Sequence, residues 1–230
     1  FVDNEYYGTP YEENDTISYE GVKDYMTSIC NHSPRKYQVE GVYDALKHNR
    51  KLLISPTASG KSLMIYALVR YYVDKGKKIL LVVPTTSLVE QMYKDFEEYG
   101  WDSQSWCHKI YSGKDKTNEF PVTITTWQSV YKLERSFFTD YDVIIGDEAH
   151  LFKSKSLVSI MSKLEHAKYR FGFTGTLDGT QTHKWVLEGL FGPSYKVTKT
   201  DELMRQGHLS QLDIQIEERF SRMPRPISYA

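Results

Sequence analysis

Two kinds of apolar pattern alternate along the chain from residue 50 onward. Short continuous runs, "KLLIS", "KILLVVP", "VTITT", "DVIIG" and "YRFGF", are each followed by a longer stretch in which apolar positions recur every three or four residues. Continuous apolar runs of this length suit strands covered on both faces, and the longer period suits helices. The pattern predicts strands at each of these runs. It predicts helices over residues 62–75, closed by Gly76, and over "TTSLVEQMYKDFEEYG", with a threonine cap and Gly100 as its stop. Further helices are predicted over "WQSVYKL", from about Ser156 to Leu164, and near "HKWVLEGLFG". Upstream, helices are predicted from Tyr19 to Ile29 and from Lys36 to Lys47, where Tyr37, Val39, Val42, Ala45 and Leu46 fall largely on one face. Downstream, "LDIQIEERF" alternates with period two and predicts a final strand.

Strands separated by helices imply parallel pairing, because each parallel crossover needs a connection long enough to hold a helix. The expected fold class is therefore α/β: a doubly wound, mainly parallel sheet with helices on both faces, whose ligands sit beyond the carboxyl ends of the strands. Residues 1–33 read as an acidic, tyrosine-rich tail ending in a short helix, residues 34–216 as the nucleotide-binding domain, and residues 217–230 as the start of a linker.

Composition narrows the setting. The chain has 230 residues, 40% hydrophobic and 26% charged, and no apolar run approaches the roughly 20 residues that span a bilayer. It opens on Phe1 without a signal-peptide pattern, which suggests a piece of a longer protein. Two cysteines, Cys30 and Cys107, are too few for a disulfide framework, and Cys30 with His32 lacks the further ligands of a zinc site. A reducing, intracellular setting is expected, the host cytoplasm if the source is viral. The net charge of −1 still permits a locally positive groove for nucleic acid.

The chemistry is concentrated in a few loops. "SPTASGKS" ends like the phosphate-binding pattern G-x-x-x-x-G-K-[ST], with Ser55 in place of the leading glycine. Thr57, Ala58, Ser59 and Gly60 would present backbone to the phosphates, Lys61 would reach the β and γ phosphates, and Ser62 would offer its hydroxyl to magnesium. A small residue at 55 keeps the turn if its φ stays negative. In "VIIGDEAH", Asp147 and Glu148 end an apolar strand, where carboxylates are costly unless a cation offsets them. Asp147 would hold magnesium, partly through water, and Glu148 would take the proton of an attacking water. The plainer reading of each feature is a small-residue turn or a helix cap.

"PTASGKS", "VVPTTSLVEQ", "DEAH" and "TGT", in that order, resemble motifs I, Ia, II and III of superfamily-two helicases of the DEAH-box-like kind. The resemblance runs from Arg35 to Ile216, and "TTWQSV", "LFG" and the exit segment "TDELMRQGHLSQL" are most similar to the phage UvsW-type repair and recombination helicases. It implies a RecA-like P-loop NTPase domain, ATP and Mg2+ as cofactors, DNA as partner with RNA open, and a second RecA-like domain to complete the motor. It also implies roles. Gln38, helped by Arg35 or Tyr37, would read adenine, and His150 would bond near the γ phosphate or the following threonines. Pro84, Thr85 and Thr86, with Thr125, Thr126, Trp127 and Gln128, would meet the nucleic-acid backbone, and Thr174, Gly175 and Thr176 would couple hydrolysis to domain movement. For Trp127 a place in the core competes with base stacking. The implied function is the first motor domain of an ATP-dependent DNA helicase or translocase, weakly active alone. The alternatives are a restriction-enzyme motor, a nucleotide-gated binding module that does not translocate, and a small-molecule kinase, in which "PTTSLVEQ" and "TGT" have no task.

Overall fold

A computed structural model of the chain describes residues 13–56, 58–111, 119–152, 154–175 and 181–198. Helices α1 (Tyr19–Ile29) and α2 (Lys36–His48) precede β1 (Arg50–Ile54), α3 (Lys61–Asp74), β2 (Ile79–Val83) and α4 (Thr86–Glu98). Then follow α5 (Ser103–Trp106), β3 (Cys107–Ile110), β4 (Val122–Thr126), α6 (Trp127–Val130), α7 (Arg135–Phe138) and β5 (Val143–Gly146). A 3-10 turn (Ala149–Leu151), α8 (Ser154–Lys163), β6 (Tyr169–Thr174), α9 (Gln181–Phe191) and β7 (Ser194–Lys196) complete the described part.

The seven strands of the described residues form one sheet in the order β3-β4-β2-β5-β6-β1-β7, and every neighbouring pair is parallel. The continuous apolar runs follow from this. Adjacent residues of one strand point to opposite faces, and both faces are covered. Leu53, Leu81 and Ile145 join the core beneath α1–α4, whereas their neighbours Leu52, Leu80 and Ile144 join a second core with α8 and α9. The doubly wound expectation holds.

Several boundaries follow from local chemistry. Ser18 accepts from Gly21 N at the start of α1, and Thr85 accepts from Leu88 N at the start of α4. Helix α2 ends where Asn49 takes the left-handed conformation and donates to Ala45 O. Gly146 and Gly172 are register partners on β5 and β6, and a methyl group on either would approach the Phe191 ring to 3.0 Å or less. The two glycines leave the sheet a shallow seat for that ring, which holds α9 against it.

The sequence pattern overlooks β3, β7 and the short α5 and α7. "CHKI" and "SYK" are brief edge strands with partly exposed side chains, so they lack the apolar run that marks their central neighbours. The helix expected over "WQSVYKL" is a single turn. The strand expected at "LDIQIEERF", the exit segment, most of the tail and the 217–230 linker lie outside the described residues.

Candidate nucleotide site at the carboxyl edge

Parallel pairing in the order β2-β5-β6-β1 brings four strand exits side by side: Pro84 after β2, Asp147 after β5, Gly175 after β6 and Ser55 after β1. The loop from Ser55 leads into α3. Its Ser55 is fully buried, and its backbone N–H donates to Thr174 O at 2.8 Å, continuing the sheet for one residue. Ser55 Oγ and Ser59 Oγ share a hydrogen bond of 2.5 Å, and Ser59 Oγ also donates to Pro56 O at 2.6 Å.

Among the described residues of the loop the left-handed ones are Ala58 (φ 64°) and Gly60 (φ 76°), and Ser55 is not one of them, so the turn does not need a glycine at 55. Position 60 does need one, because a Cβ there would sit 2.3 Å from Gln38 Nε2. Replacing Ser55 with glycine removes a buried hydrogen bond and frees the unfolded chain. We expect a loss of about 1–2 kcal/mol in denaturant unfolding, with nucleotide affinity changed less than about threefold.

Gln38 is buried, and its amide bridges two backbone groups: Oε1 accepts from Arg35 N at 2.8 Å, and Nε2 donates to Ser59 O at 2.9 Å. Tyr37 OH donates to the same carbonyl at 3.1 Å and accepts from Arg35 Nη1 at 2.8 Å. Gln38 and Tyr37 thus brace the phosphate loop, and Arg35 supports both. One amide N–H and one lone pair of Gln38 stay available for a base edge.

Across the sheet, Asp147 is 6% exposed and its Oδ1 accepts from Glu148 N at 2.9 Å. Glu148 takes a left-handed backbone (φ 47°, ψ 46°), which costs roughly 1–2 kcal/mol for a side chain of this kind and reverses the direction of the chain. The reversal sends its carboxylate toward Lys61, with which it forms an ion pair of low exposure. Gly175 lies below the pair: its N–H donates to Glu148 Oε2 at 3.4 Å, and a Cβ there would stand 3.9 Å from both Glu148 Oε2 and Lys61 Nζ. His150 Nδ1 shares a 2.7 Å hydrogen bond with Thr174 Oγ1 and lies 3.4 Å from Glu148 Oε2, while His183 Nε2 lies 3.2 Å from His150 O. The acid pair, the histidine and the β6 exit therefore touch. Thr57 and Thr176 lie outside the described residues.

Burial pushes the Asp147 carboxyl up to about 6; Lys61 opposes the shift and the Glu148 charge adds to it. A folded-state value raised above 3.8 means that the fold binds this proton better than the unfolded chain does. The stabilisation is complete below pH 3.8 and is lost as pH rises through about 6, costing roughly 3 kcal/mol above that window. Asp147→Asn should lack this fall and exceed the unaltered chain by about 1–3 kcal/mol in urea unfolding at pH 7.5. A difference that is flat from pH 4 to pH 7 would contradict it.

The residues present fit a magnesium–nucleotide. Mg2+ favours hard oxygen donors, usually one or two carboxylates completed by phosphate and water. Buried Asp147 and the Ser62 hydroxyl are such donors, Lys61 precedes Ser62 on α3, and Gly175 brings no side chain against the Lys61–Glu148 pair. Among the described residues no group of three or more His, Cys, Asp and Glu forms an all-protein metal cage.

Farther along the same edge, Pro84 is buried and Thr85 and Thr86 are exposed at the start of α4. Gln128 Nε2 donates to Pro84 O at 3.1 Å and ties the β2 and β4 exits together. Thr126 Oγ1 and Ser129 Oγ are 2.8 Å apart, and Thr125 Oγ1 donates to Thr126 O at 3.2 Å. Trp127 is half-buried and leans on Tyr131 and the second core. Sequence reasoning missed Tyr99, whose hydroxyl is 2.7 Å from Ser62 Oγ, and His183; neither stands in a motif or at a telling spacing.

Comparison with known proteins adds an independent line. Residues 31–179 match the family described as "Type III restriction enzyme, res subunit". The ATP-dependent DNA helicase uvsW of Enterobacteria phage T4 is 37% identical over 186 residues, covering 79% of this chain and 37% of the relative. The DNA 3'-5' translocase XPB2 of Sulfurisphaera tokodaii is 28% identical over 169 residues, covering 74% and 36% respectively. The crystal structure of the UvsW helicase from bacteriophage T4 superposes with a TM-score of 0.73 at 34% identity, over 80% of this chain and 70% of that one. The chain spans little more than a third of the length of these two curated relatives.

Proposed function

The chain belongs to the type III restriction enzyme res-subunit family and is a first motor domain of the superfamily-two helicase kind, similar to phage UvsW; on that footing we propose that it binds ATP with Mg2+ and serves a motor that remodels or unwinds DNA, branched DNA included. The observation that carries this reading is the meeting of Lys61 and Glu148 beside buried Asp147, three residues contributed by two loops far apart in the chain.

Lys61 and the Gly60 amide would hold the phosphates, while Ser62 and Asp147 would hold the metal. When bound, Mg2+ offsets charge on the phosphates. Glu148 accepts the proton of a water placed in line with the γ phosphate, and its hydrogen bond from Gly175 and its contact with His150 keep its carboxylate turned toward Lys61. His150 and Thr174 pass changes at this carboxylate to the β6 exit, the candidate coupling segment with Gly175 and Thr176. Arg35 and the remaining valences of Gln38 select adenine.

The exposed Thr85, Thr86 and Gln128, with half-buried Trp127 beside them, contact the backbone of a nucleic acid strand along the β2 and β4 exits, Thr85 and Thr86 bonding phosphate at a helix start; Pro84, Thr125 and Thr126, which sequence reasoning placed in the same contact, are buried and shape that edge from beneath. Residues 34–216 form this motor domain, and a second RecA-like domain of the same protein supplies the cationic groups that speed hydrolysis. No described helix is long and apolar enough to cross a membrane. The free Cys30 and Cys107 suit a reducing compartment of the cell, the cytoplasm in our reading.

Steady-state ATP hydrolysis, titrated with forked DNA, single-stranded DNA and RNA, tests the proposal. We expect slow turnover by the 230-residue chain and DNA stimulation once the second domain is joined. Stimulation by RNA alone would overturn the DNA assignment. The match to a restriction-subunit family favours one second reading, a restriction motor, which a DNA-cleavage assay on the joined protein would reveal.

A further inference from the structure

Ser62 follows Lys61 at the start of α3, and its hydroxyl lies 2.7 Å from the phenolic oxygen of Tyr99, the residue that closes α4. No hydrogen bond joins Ser62 to Asp147 among the described residues, so the described geometry orients the serine through the tyrosine. The phenol is itself fixed. Its ring lies 5.2 Å from Tyr66 and edge-on to His32 at 5.9 Å, and Tyr66, one turn beyond Ser62, anchors the same face of α3 by donating to Ile29 O at 2.8 Å. Tyr99 N–H bonds back into α4 through Asp95 O and Glu97 O. A phenylalanine would fill the ring's place equally well; only the hydroxyl needs another explanation.

Hydroxyl chemistry supplies one. A serine hydroxyl has one proton and two lone pairs. When a lone pair goes to a cation, the O–H becomes more acidic and must donate to a third group. Tyr99 Oη is the acceptor this geometry provides. We propose that Tyr99 is a positioning residue for the divalent cation: it accepts a hydrogen bond from the Ser62 hydroxyl, fixes the direction of the serine lone pairs and so strengthens Ser62 as a metal ligand. Outer-shell partners of metal ligands commonly affect metal affinity by about 10–100-fold, and a neutral oxygen ligand belongs at the lower end.

The inference rests on the nucleotide-binding reading above, and its test separates the two. The probe is a fluorescent ADP analogue, titrated against Mg2+ and, separately, in EDTA, with the unaltered chain, Tyr99→Phe, Ser62→Ala and the double variant; thermal melting confirms that each is folded. Tyr99→Phe should raise the Mg2+ midpoint about tenfold while leaving affinity in EDTA unchanged, and it should add nothing on the Ser62→Ala background. A packing role alone would weaken binding with and without metal alike. An unchanged Mg2+ midpoint, an equal loss in EDTA, or an additive loss with Ser62→Ala would each overturn the role of Tyr99 while leaving nucleotide binding intact. Failure of the unaltered chain to bind the analogue would remove both readings.

Discussion

Lys61→Ala is expected to weaken ATP binding by about 10²–10³-fold, the largest effect on affinity that any single substitution in this site should have. The amine has two tasks. It meets phosphate oxygens with charge-assisted hydrogen bonds, which are roughly twice as strong as neutral ones, and it stands opposite Glu148 in a partly buried pair. Removing it withdraws both, and an energy of about 3–4 kcal/mol corresponds to the stated loss. The same change has a signature without nucleotide. Lys61 holds the Asp147 carboxyl down against burial, so its loss should move that carboxyl further above 6 and shift the fall of stability with pH to a higher window. Equilibrium binding of a slowly hydrolysed ATP analogue checks the first effect, and urea unfolding between pH 4 and pH 8 checks the second. Binding reduced by less than tenfold would place the phosphates elsewhere.

Glu148→Gln should leave binding within a few-fold of the original and reduce hydrolysis by about 10²–10⁴-fold, the usual worth of a positioned general base. Glutamine keeps the length of the side chain and its left-handed backbone site, so the fold has little to lose. It still accepts from Gly175 N, but it cannot take a proton. Because the Glu148 charge pushes the Asp147 carboxyl upward, the variant should also carry that carboxyl lower than the unaltered chain does. Single-turnover hydrolysis with saturating nucleotide separates the step from binding. Undiminished turnover would reject Glu148 as the base and favour a binding module over a motor.

The central strands were legible because both faces of the sheet are covered: "ILLVV" and "VIIG" admit no polar position, and that is what the eye finds in the sequence. The edges were not legible, since β3 and β7 carry only partial burial and derive their strand character from a neighbour rather than from their own residues. Ser55 shows a similar limit. The sequence admits a small residue in place of the glycine; that Ser59 meets its hydroxyl, while Ala58 and Gly60 take the left-handed turn, depends on the folded loop. Lys61, Asp147 and Glu148 stood out by chemical type and order, whereas their meeting required β5, β6 and β1 to lie side by side, a fact of topology. Gln38 stood out too, but the use of its amide to brace Ser59 O could not be read from a side chain that is equally able to face a base. Tyr99 had no signal because tyrosines are common in this chain and its partner lies 37 residues away.

One binding measurement bears most directly on the claim that Lys61 and Asp147 serve the same metal–triphosphate. A slowly hydrolysed ATP analogue is titrated with Mg2+ and with EDTA into the unaltered chain, Lys61→Ala and Asp147→Asn. The account predicts that Mg2+ strengthens binding to the unaltered chain, that Asp147→Asn loses this gain while keeping the affinity seen in EDTA, and that Lys61→Ala loses affinity in both. Variants that bind like the unaltered chain in both conditions would contradict it.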